Sequence, residues 1–174
     1  MNTKNLVLMA LLVGVGAALY VAIPGINGGM KPDFMLTMMF VGILLFPDKK
    51  SVFLLAVSTG VISGLFSTFP SGFIPNIVDK FVTAFAFFAL LSIMKNSAKK
   101  ISISATLTGI GTLISGTVFL SVAIFLIGVE VPFGLLFTTV VLPAVAMNVV
   151  AFAIIYPIIM GIVKRSKFET ALSH

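Results

Sequence analysis

The chain has 174 residues, of which 59% are hydrophobic and only 9% are charged, and its mean hydropathy is +1.22. A water-soluble domain of this composition would lack the polar residues that cover a surface, so the sequence predicts a protein embedded in a lipid bilayer. It contains no cysteine, and its single histidine is the terminal His174, so we expect no thiol chemistry, metal site or cofactor. The net charge of +6 comes from short basic clusters between apolar segments, which indicates membrane orientation rather than nucleic-acid binding.

Charged residues divide the chain into six uncharged runs, which we interpret as six transmembrane helices in one domain. The predicted helices cover about residues 4–24, 33–47, 51–68, 76–95, 101–128 and 133–164. Four runs exceed the roughly 20 residues that a spanning helix needs. The runs from Phe34 to Pro47 and from Phe81 to Met94 have 14 residues each, enough for only about 21 Å of a core about 30 Å thick. We therefore expect both to span only by drawing the charges at their ends to the outer edge of the membrane.

The basic residues support six crossings, because cytoplasmic loops of membrane proteins carry an excess of lysine and arginine. With the N-terminus inside, nine of the eleven basic residues are cytoplasmic. The nine are Lys4, Lys49, Lys50, Lys95, Lys99, Lys100, Lys164, Arg165 and Lys167. The sequence thus predicts an all-α, multi-pass membrane protein with both termini in the cytoplasm.

The outer charges form the first candidate site, since charges at membrane depth are costly and usually face a cavity or each other. Lys31 and Asp33 precede the second predicted helix, and Asp79 and Lys80 lie in the first turns of the fourth. They are either interfacial and paired with one another, or they bind a zwitterion through a lysine and an acid. Glu130, in an outer loop, is either simply solvated or a further partner for an ammonium group.

Amides and aromatic rings near the same end extend this candidate site. Asn76 lies beside the charges and Asn148 lies within the sixth helix, where an amide either joins neighbouring helices or hydrogen-bonds a ligand. Phe34, Phe69 and Phe73 flank the outer loops and can stack against a flat apolar ligand.

The first helix carries small residues at a repeat of four, which places a smooth ridge along one helical face. The ridge consists of Ala10, Gly14, Ala18 and Ala22. It either packs within the protein or docks another membrane subunit. The chain contains no Walker A loop, no H-E-x-x-H and no Gly-x-Ser-x-Gly motif, so we do not expect an enzyme.

Together these features resemble the substrate-binding S components of energy-coupling factor (ECF) transporters, which are small six-helix membrane proteins with both ends cytoplasmic. The ridge resembles the small-residue motif by which such components engage a membrane coupling subunit. Three blocks resemble bacterial tryptophan transporters of this family: Gly29 to Phe40, Gly42 to Pro47 and Phe69 to Lys80.

The resemblance implies a bacterial plasma-membrane protein that captures L-tryptophan with high affinity outside the cell. It further implies delivery through a coupling subunit and two separate ATPase subunits, with the binding subunit toppling in the membrane. We expect the indole ring in a cavity lined by phenylalanine and methionine. The carboxylate would lie on Lys31 or Lys80, and the ammonium on Asp79, Asp33 or Glu130. The alternatives are an S component for a vitamin or another aromatic compound, a stand-alone secondary amino-acid carrier, and a structural membrane protein.

Overall fold

The computed structural model describes residues 2–25, 30–94, 100–166, 168 and 170–171, and this part of the chain folds into six helices without a strand. The helices are α1 (Thr3–Ala22), α2 (Phe34–Leu45), α3 (Lys49–Leu65), α4 (Phe73–Ile93), α5 (Ile101–Leu126) and α6 (Phe133–Arg165). Helix α5 ends in a π-helical turn and α6 contains another near its start. Lys95, Lys99, Lys167 and His174, which entered the sequence predictions, lie outside the described residues.

Side-chain caps determine where the second and third helices begin. The side-chain oxygen of Asp33 accepts the Leu36 backbone N–H at 2.9 Å, and that of Asp48 accepts the Ser51 N–H at 3.0 Å. Such caps satisfy N–H groups that have no partner within the helix. Helix α3 therefore begins at Lys49, directly after its cap, rather than at the predicted residue 51.

Helix α2 is the centre of the bundle. All 12 of its residues are buried, and it contacts each of the other five helices. At 1.5 Å per residue it is only about 18 Å long. An apolar helix of this length is typical of a protein core. The position of α2 agrees with this, since the other five helices enclose it.

Four helices are long and apolar enough to cross a membrane: α1, α4, α5 and α6. Large apolar side chains cover the outside of the bundle, among them Ile93, Phe125 and Val150. Such a surface is what hydrocarbon requires, and the protein is accordingly a multi-pass membrane protein. Helix α4 has 21 residues and continues through the Asp79–Lys80 pair, which lies about two turns after its start. The helix need not stop there because both charges are buried and paired.

The two ends of the bundle differ. We call the end where α2 begins, at Asp33, the site end, and the end where α2 finishes, at Leu45, the tail end. Toward the tail end, the rings of Phe40 and Phe87 stack with centroids 4.2 Å apart and planes within 13°. Gly111 of α5 allows this stack, because a Cβ at that position would lie 2.6 Å from the Phe40 ring. At the tail end, the Ala171 N–H donates to the Leu45 carbonyl at 3.0 Å.

Candidate functional site

A cavity of about 460 Å³ lies at the site end. This volume is within the range of roughly 300–1,000 Å³ that small-molecule pockets occupy. Its charged and polar wall includes Lys31, Asp33, Asn76, Asp79, Lys80, Thr112, Ser115 and Asn148. Its apolar wall includes Met35, Leu36, Phe69, Phe119, Leu136, Val140 and Met147. The cavity lining therefore combines charged and polar groups with apolar side chains.

Lys80 lies between two carboxylates. Its Nζ is 2.8 Å from Asp33 Oδ2 and 2.7 Å from Asp79 Oδ2, so it joins α4 to the start of α2. The Lys80 and Asp79 side chains are 2% and 1% exposed, whereas the Asp33 side chain is 31% exposed. Buried charges persist only when paired and hydrogen-bonded, and this arrangement meets both conditions.

Two hydroxyl groups complete the surroundings of Asp79. Thr83 Oγ1 donates to Asp79 Oδ1 at 2.9 Å, and Ser115 Oγ donates to Asp79 Oδ2 at 2.9 Å. The Ser115 bond ties α5 to α4 at this depth. Because charge-assisted bonds of this kind are directional and strong, Asp79 is held in one position.

Asn148 joins three helices at the cavity wall. Its Oδ1 accepts the backbone N–H of Asp33 at 2.7 Å, and its Nδ2 donates to Thr112 Oγ1 at 3.2 Å. Asn76 turns its amide group to its own helix start, where Nδ2 donates to the Gly72 carbonyl at 2.7 Å. Each amide thus donates one N–H to another group of the protein. Asn148 also orients the loop that carries Asp33.

Lys31 lines the cavity and contacts Tyr20 of α1. Its Nζ donates to the backbone carbonyl of Tyr20 and lies 3.8 Å from the centroid of the Tyr20 ring. Lys31 is half-buried, and among the described residues no carboxylate lies within ion-pair distance of it. Its positive charge is therefore stabilised by a ring and a dipole rather than by an anion.

Aromatic rings form part of the apolar wall. Phe69, in the loop before α4, meets Phe119 of α5 edge to face, with centroids 5.2 Å apart and planes at 80°. Both rings line the cavity. This geometry is favourable for an aromatic pair and leaves apolar surface available to a third ring.

The structure brings seven of the ten predicted site residues to this cavity. They are Lys31, Asp33, Phe69, Asn76, Asp79, Lys80 and Asn148. Phe34, Phe73 and Glu130 are absent from its lining. Phe34 is buried, with its backbone against Gly16 of α1, while Phe73 packs beside Gly64 of α3 and Glu130 is exposed.

Several lining residues were not among the sequence predictions: Tyr20, Thr112, Ser115, Phe119 and Met147. For two of them, Thr112 and Ser115, the sequence does contain an informative pattern. Ser104, Thr108, Thr112 and Ser115 recur at steps of four, four and three residues, and all four are buried. That spacing predicts one face of a helix, here a polar face turned toward the bundle interior.

The small-residue ridge of α1 faces outward. Ala10, Gly14, Ala18 and Ala22 are all exposed, and a Cβ at Gly14 would meet no atom within 4 Å. The residues of α1 that pack on α2 and α3 lie on a different face: Leu8, Met9, Leu12, Val13 and Gly16. In this chain the ridge is consequently not used for internal packing.

An apolar helical bundle with a mixed-charge cavity of small-molecule size at one end defines a multi-pass membrane protein. The chain matches the model of the TrpP tryptophan transporter family over residues 2–164, and it belongs to that family. It is 51% identical to a probable tryptophan transport protein of Bacillus subtilis (strain 168), over 98% of this chain and 99% of the relative.

Two further relatives are also described as probable tryptophan transport proteins. The one from Clostridium acetobutylicum is 43% identical over 90% of this chain and 91% of its own length. The one from Clostridium perfringens (strain 13 / Type A) is 33% identical over 95% of this chain and 96% of its own length. No solved structure matched the chain.

Proposed function

We propose that this protein is the membrane-embedded binding subunit for L-tryptophan uptake and the S component of an ECF transporter. The observation that carries the proposal is the cavity, whose lining combines lysines and aspartates with aromatic and aliphatic side chains. The charges suit an ammonium and a carboxylate, and the apolar wall suits an indole ring. Burial of the ring contributes several kcal/mol at about 25 cal/mol per Å², which supports high affinity. The names of the three relatives support tryptophan as the ligand.

The distribution of basic residues supports a cytoplasmic tail end and an extracellular site end. Lys4, Lys49, Lys50, Lys164 and Arg165 lie near helix ends at the tail end, far from the cavity. The positive-inside rule places such residues in the cytoplasm. We therefore propose six spans in the bacterial plasma membrane, with both termini inside and the cavity open to the exterior.

The packing below the cavity supports movement of the whole subunit rather than a path through it. Phe40, Phe87 and Gly111 are in direct contact there, and each of the three is buried. A carrier working alone would have to separate these helices in each cycle, whereas an S component presents its site by toppling.

The exposed ridge of α1 supports a partner subunit in the membrane. Small residues let helices approach closely, and helix association in lipid depends on such contacts. We propose that the ridge docks the ECF coupling subunit, which two ATPase subunits drive.

Titration calorimetry of the purified protein with L-tryptophan tests the ligand, with a vitamin and other aromatic compounds as competitors. We expect saturable binding that only tryptophan and its close analogues displace. Uptake of labelled tryptophan into vesicles tests the coupling, and we expect uptake only with the coupling subunit, both ATPases and ATP. Uptake by the protein alone on an ion gradient would contradict the S-component proposal.

A large side chain on the ridge tests docking. We expect Ala18→Trp to bind tryptophan like the wild type while its ATP-driven uptake falls to the level measured without ATPases, because the indole ring keeps the two helices apart. Ile154→Trp, at a 59% exposed position on α6, is the matched control and should retain uptake. Normal uptake by Ala18→Trp would remove the ridge from the docking surface.

A further inference from the structure

The two carboxylates that flank Lys80 differ in what they can still accept. Asp79 receives three donors, from Lys80, Thr83 and Ser115, and its side chain is 1% exposed. Asp33 receives one donor on each oxygen, from the Leu36 N–H and from Lys80, and its side chain is 31% exposed. An ionised carboxylate has about four acceptor positions. Asp33 thus retains both capacity and access, whereas Asp79 has little of either.

The two lysines differ in the same way. Lys80 has a carboxylate on each side and a side chain that is 2% exposed. Lys31 donates to the Tyr20 carbonyl, and no carboxylate of the described residues pairs with it. An ammonium group has three donors, so Lys31 keeps two for another acceptor at the cavity wall.

The charges around the cavity sum to zero. Among the described residues that line it, the charged ones are Lys31, Asp33, Asp79 and Lys80. A ligand with a net charge would leave one charge uncompensated beside the buried Asp79 and Lys80, which is costly. A ligand with one positive and one negative group leaves the balance unchanged.

We infer that this site selects a net-neutral zwitterion, with the ligand's ammonium on Asp33 and its carboxylate on Lys31. Asp79 and Lys80 form a fixed pair that positions Asp33 and keeps its own partners when the ligand binds. The inference rests on the proposed function for the indole side chain. It replaces the open choice among two lysines and three acids with one assignment for each group.

Three probes test the assignment by calorimetry on the purified full-length protein: L-tryptophan, tryptamine, which lacks the carboxylate, and indole-3-propionate, which lacks the ammonium. We expect the wild type to bind tryptophan about 10- to 100-fold more tightly than either analogue, as for the loss of one charge-assisted contact. Asp33→Asn should weaken tryptophan binding by about the same factor, whereas the affinity for indole-3-propionate should stay within about threefold of the wild-type value. Asparagine still caps α2, and Asp33→Ser provides a second capping variant if Asp33→Asn does not fold.

The complementary variant is Lys31→Gln. It should weaken tryptophan binding by about 10- to 100-fold. The affinity for tryptamine should stay within about threefold of the wild-type value, because tryptamine has no carboxylate to contact Lys31. Asp79→Asn should keep more of the preference for tryptophan over indole-3-propionate than Asp33→Asn does, since it acts through Lys80 and contacts neither ligand group. Glu130→Gln, which changes an exposed acid outside the cavity, should leave all three affinities unchanged.

The outcomes separate this inference from the proposed function. If the wild type does not bind tryptophan, the proposed function fails and the assignment fails with it. If the wild type binds tryptophan but Asp33→Asn and Lys31→Gln keep its preference over both analogues, the assignment alone is overturned. The assignment would also be overturned if Asp79→Asn lost the preference for tryptophan over indole-3-propionate and Asp33→Asn kept it.

Discussion

At the site end, α2, α4 and α5 bring two lysines, two aspartates and several hydroxyls to a cavity of about 460 Å³. Nearer the tail end, the same three helices meet through two stacked phenylalanine rings and a glycine, with ring centroids 4.2 Å apart. One end therefore contains costly buried charge beside open space, and the other is filled by apolar contacts. Helix α2 passes through both and is buried along its whole length.

This difference indicates how a small membrane protein can support a polar site. Charges at membrane depth are tolerated when their partners are fixed, and here the partners come from α2, α4 and α5, while Asn148 of α6 holds the Asp33 backbone. The packed tail end fixes the spacing of the helices that carry those partners. Substitutions at the two ends should therefore differ in kind: at the site end they change charge balance and ligand binding, and at the tail end they change packing.

The largest effect is expected from Lys80→Met. Methionine leaves Asp33 and Asp79 without their shared cation, and removal of one partner from a buried ion pair costs about 3–5 kcal/mol. We expect that loss in the free energy of unfolding, measured in detergent micelles, together with loss of tryptophan binding.

Lys164→Met, an exposed charge near the end of α6, is the matched control and should change stability by less than about 0.5 kcal/mol. The double variant Asp79→Asn with Lys80→Met should recover part of the stability, because fewer charges are left unpaired. Wild-type stability of Lys80→Met would contradict a site held together by this cation.

The second effect is expected from Gly111→Ala. The added Cβ would lie 2.6 Å from Phe40 and 3.1 Å from Phe87, so the stacked rings must move. Overpacking of this kind costs about 1–3 kcal/mol. Gly161→Ala, where a Cβ meets nothing within 4 Å, makes the same change without the clash. If Gly111→Ala and Gly161→Ala changed the free energy of unfolding in detergent equally, the tail-end packing would be looser than the structure indicates.

The helical fold and the family were predictable from the sequence because both depend on local pattern. The predictions of an all-helical protein and of a tryptophan-transporter family are confirmed. Helix ends followed charge and turn residues to within a few positions, as at α3, where Asp48 caps the helix. The pairs Lys31–Asp33 and Asp79–Lys80 were identified as site candidates because charges are rare in such an apolar chain.

The interior of the site was not predictable in the same way. The uncharged run from Phe81 to Met94 suggested a short membrane segment, but a paired and buried charge does not interrupt a helix, and α4 has 21 residues. Ser115 approaches Asp79 from 36 residues away, through a contact between helices that local pattern does not specify. Phe34 adjoins Asp33 in sequence yet is buried outside the cavity lining, because direction around the helix and not distance along the chain decides what a side chain meets.

The smallest effect is expected at the tail end from Ala171→Pro. The Leu45 carbonyl is among the last of α2, which have no partner within the helix, and the Ala171 N–H reaches it at 3.0 Å. Proline removes that donor, so we expect a loss of about 1 kcal/mol in detergent unfolding and an unchanged tryptophan affinity. Ala171→Ser keeps the N–H and should unfold like the wild type. If Ala171→Pro weakened tryptophan binding instead, the two ends would be coupled through α2, and the separation of binding from packing would be wrong.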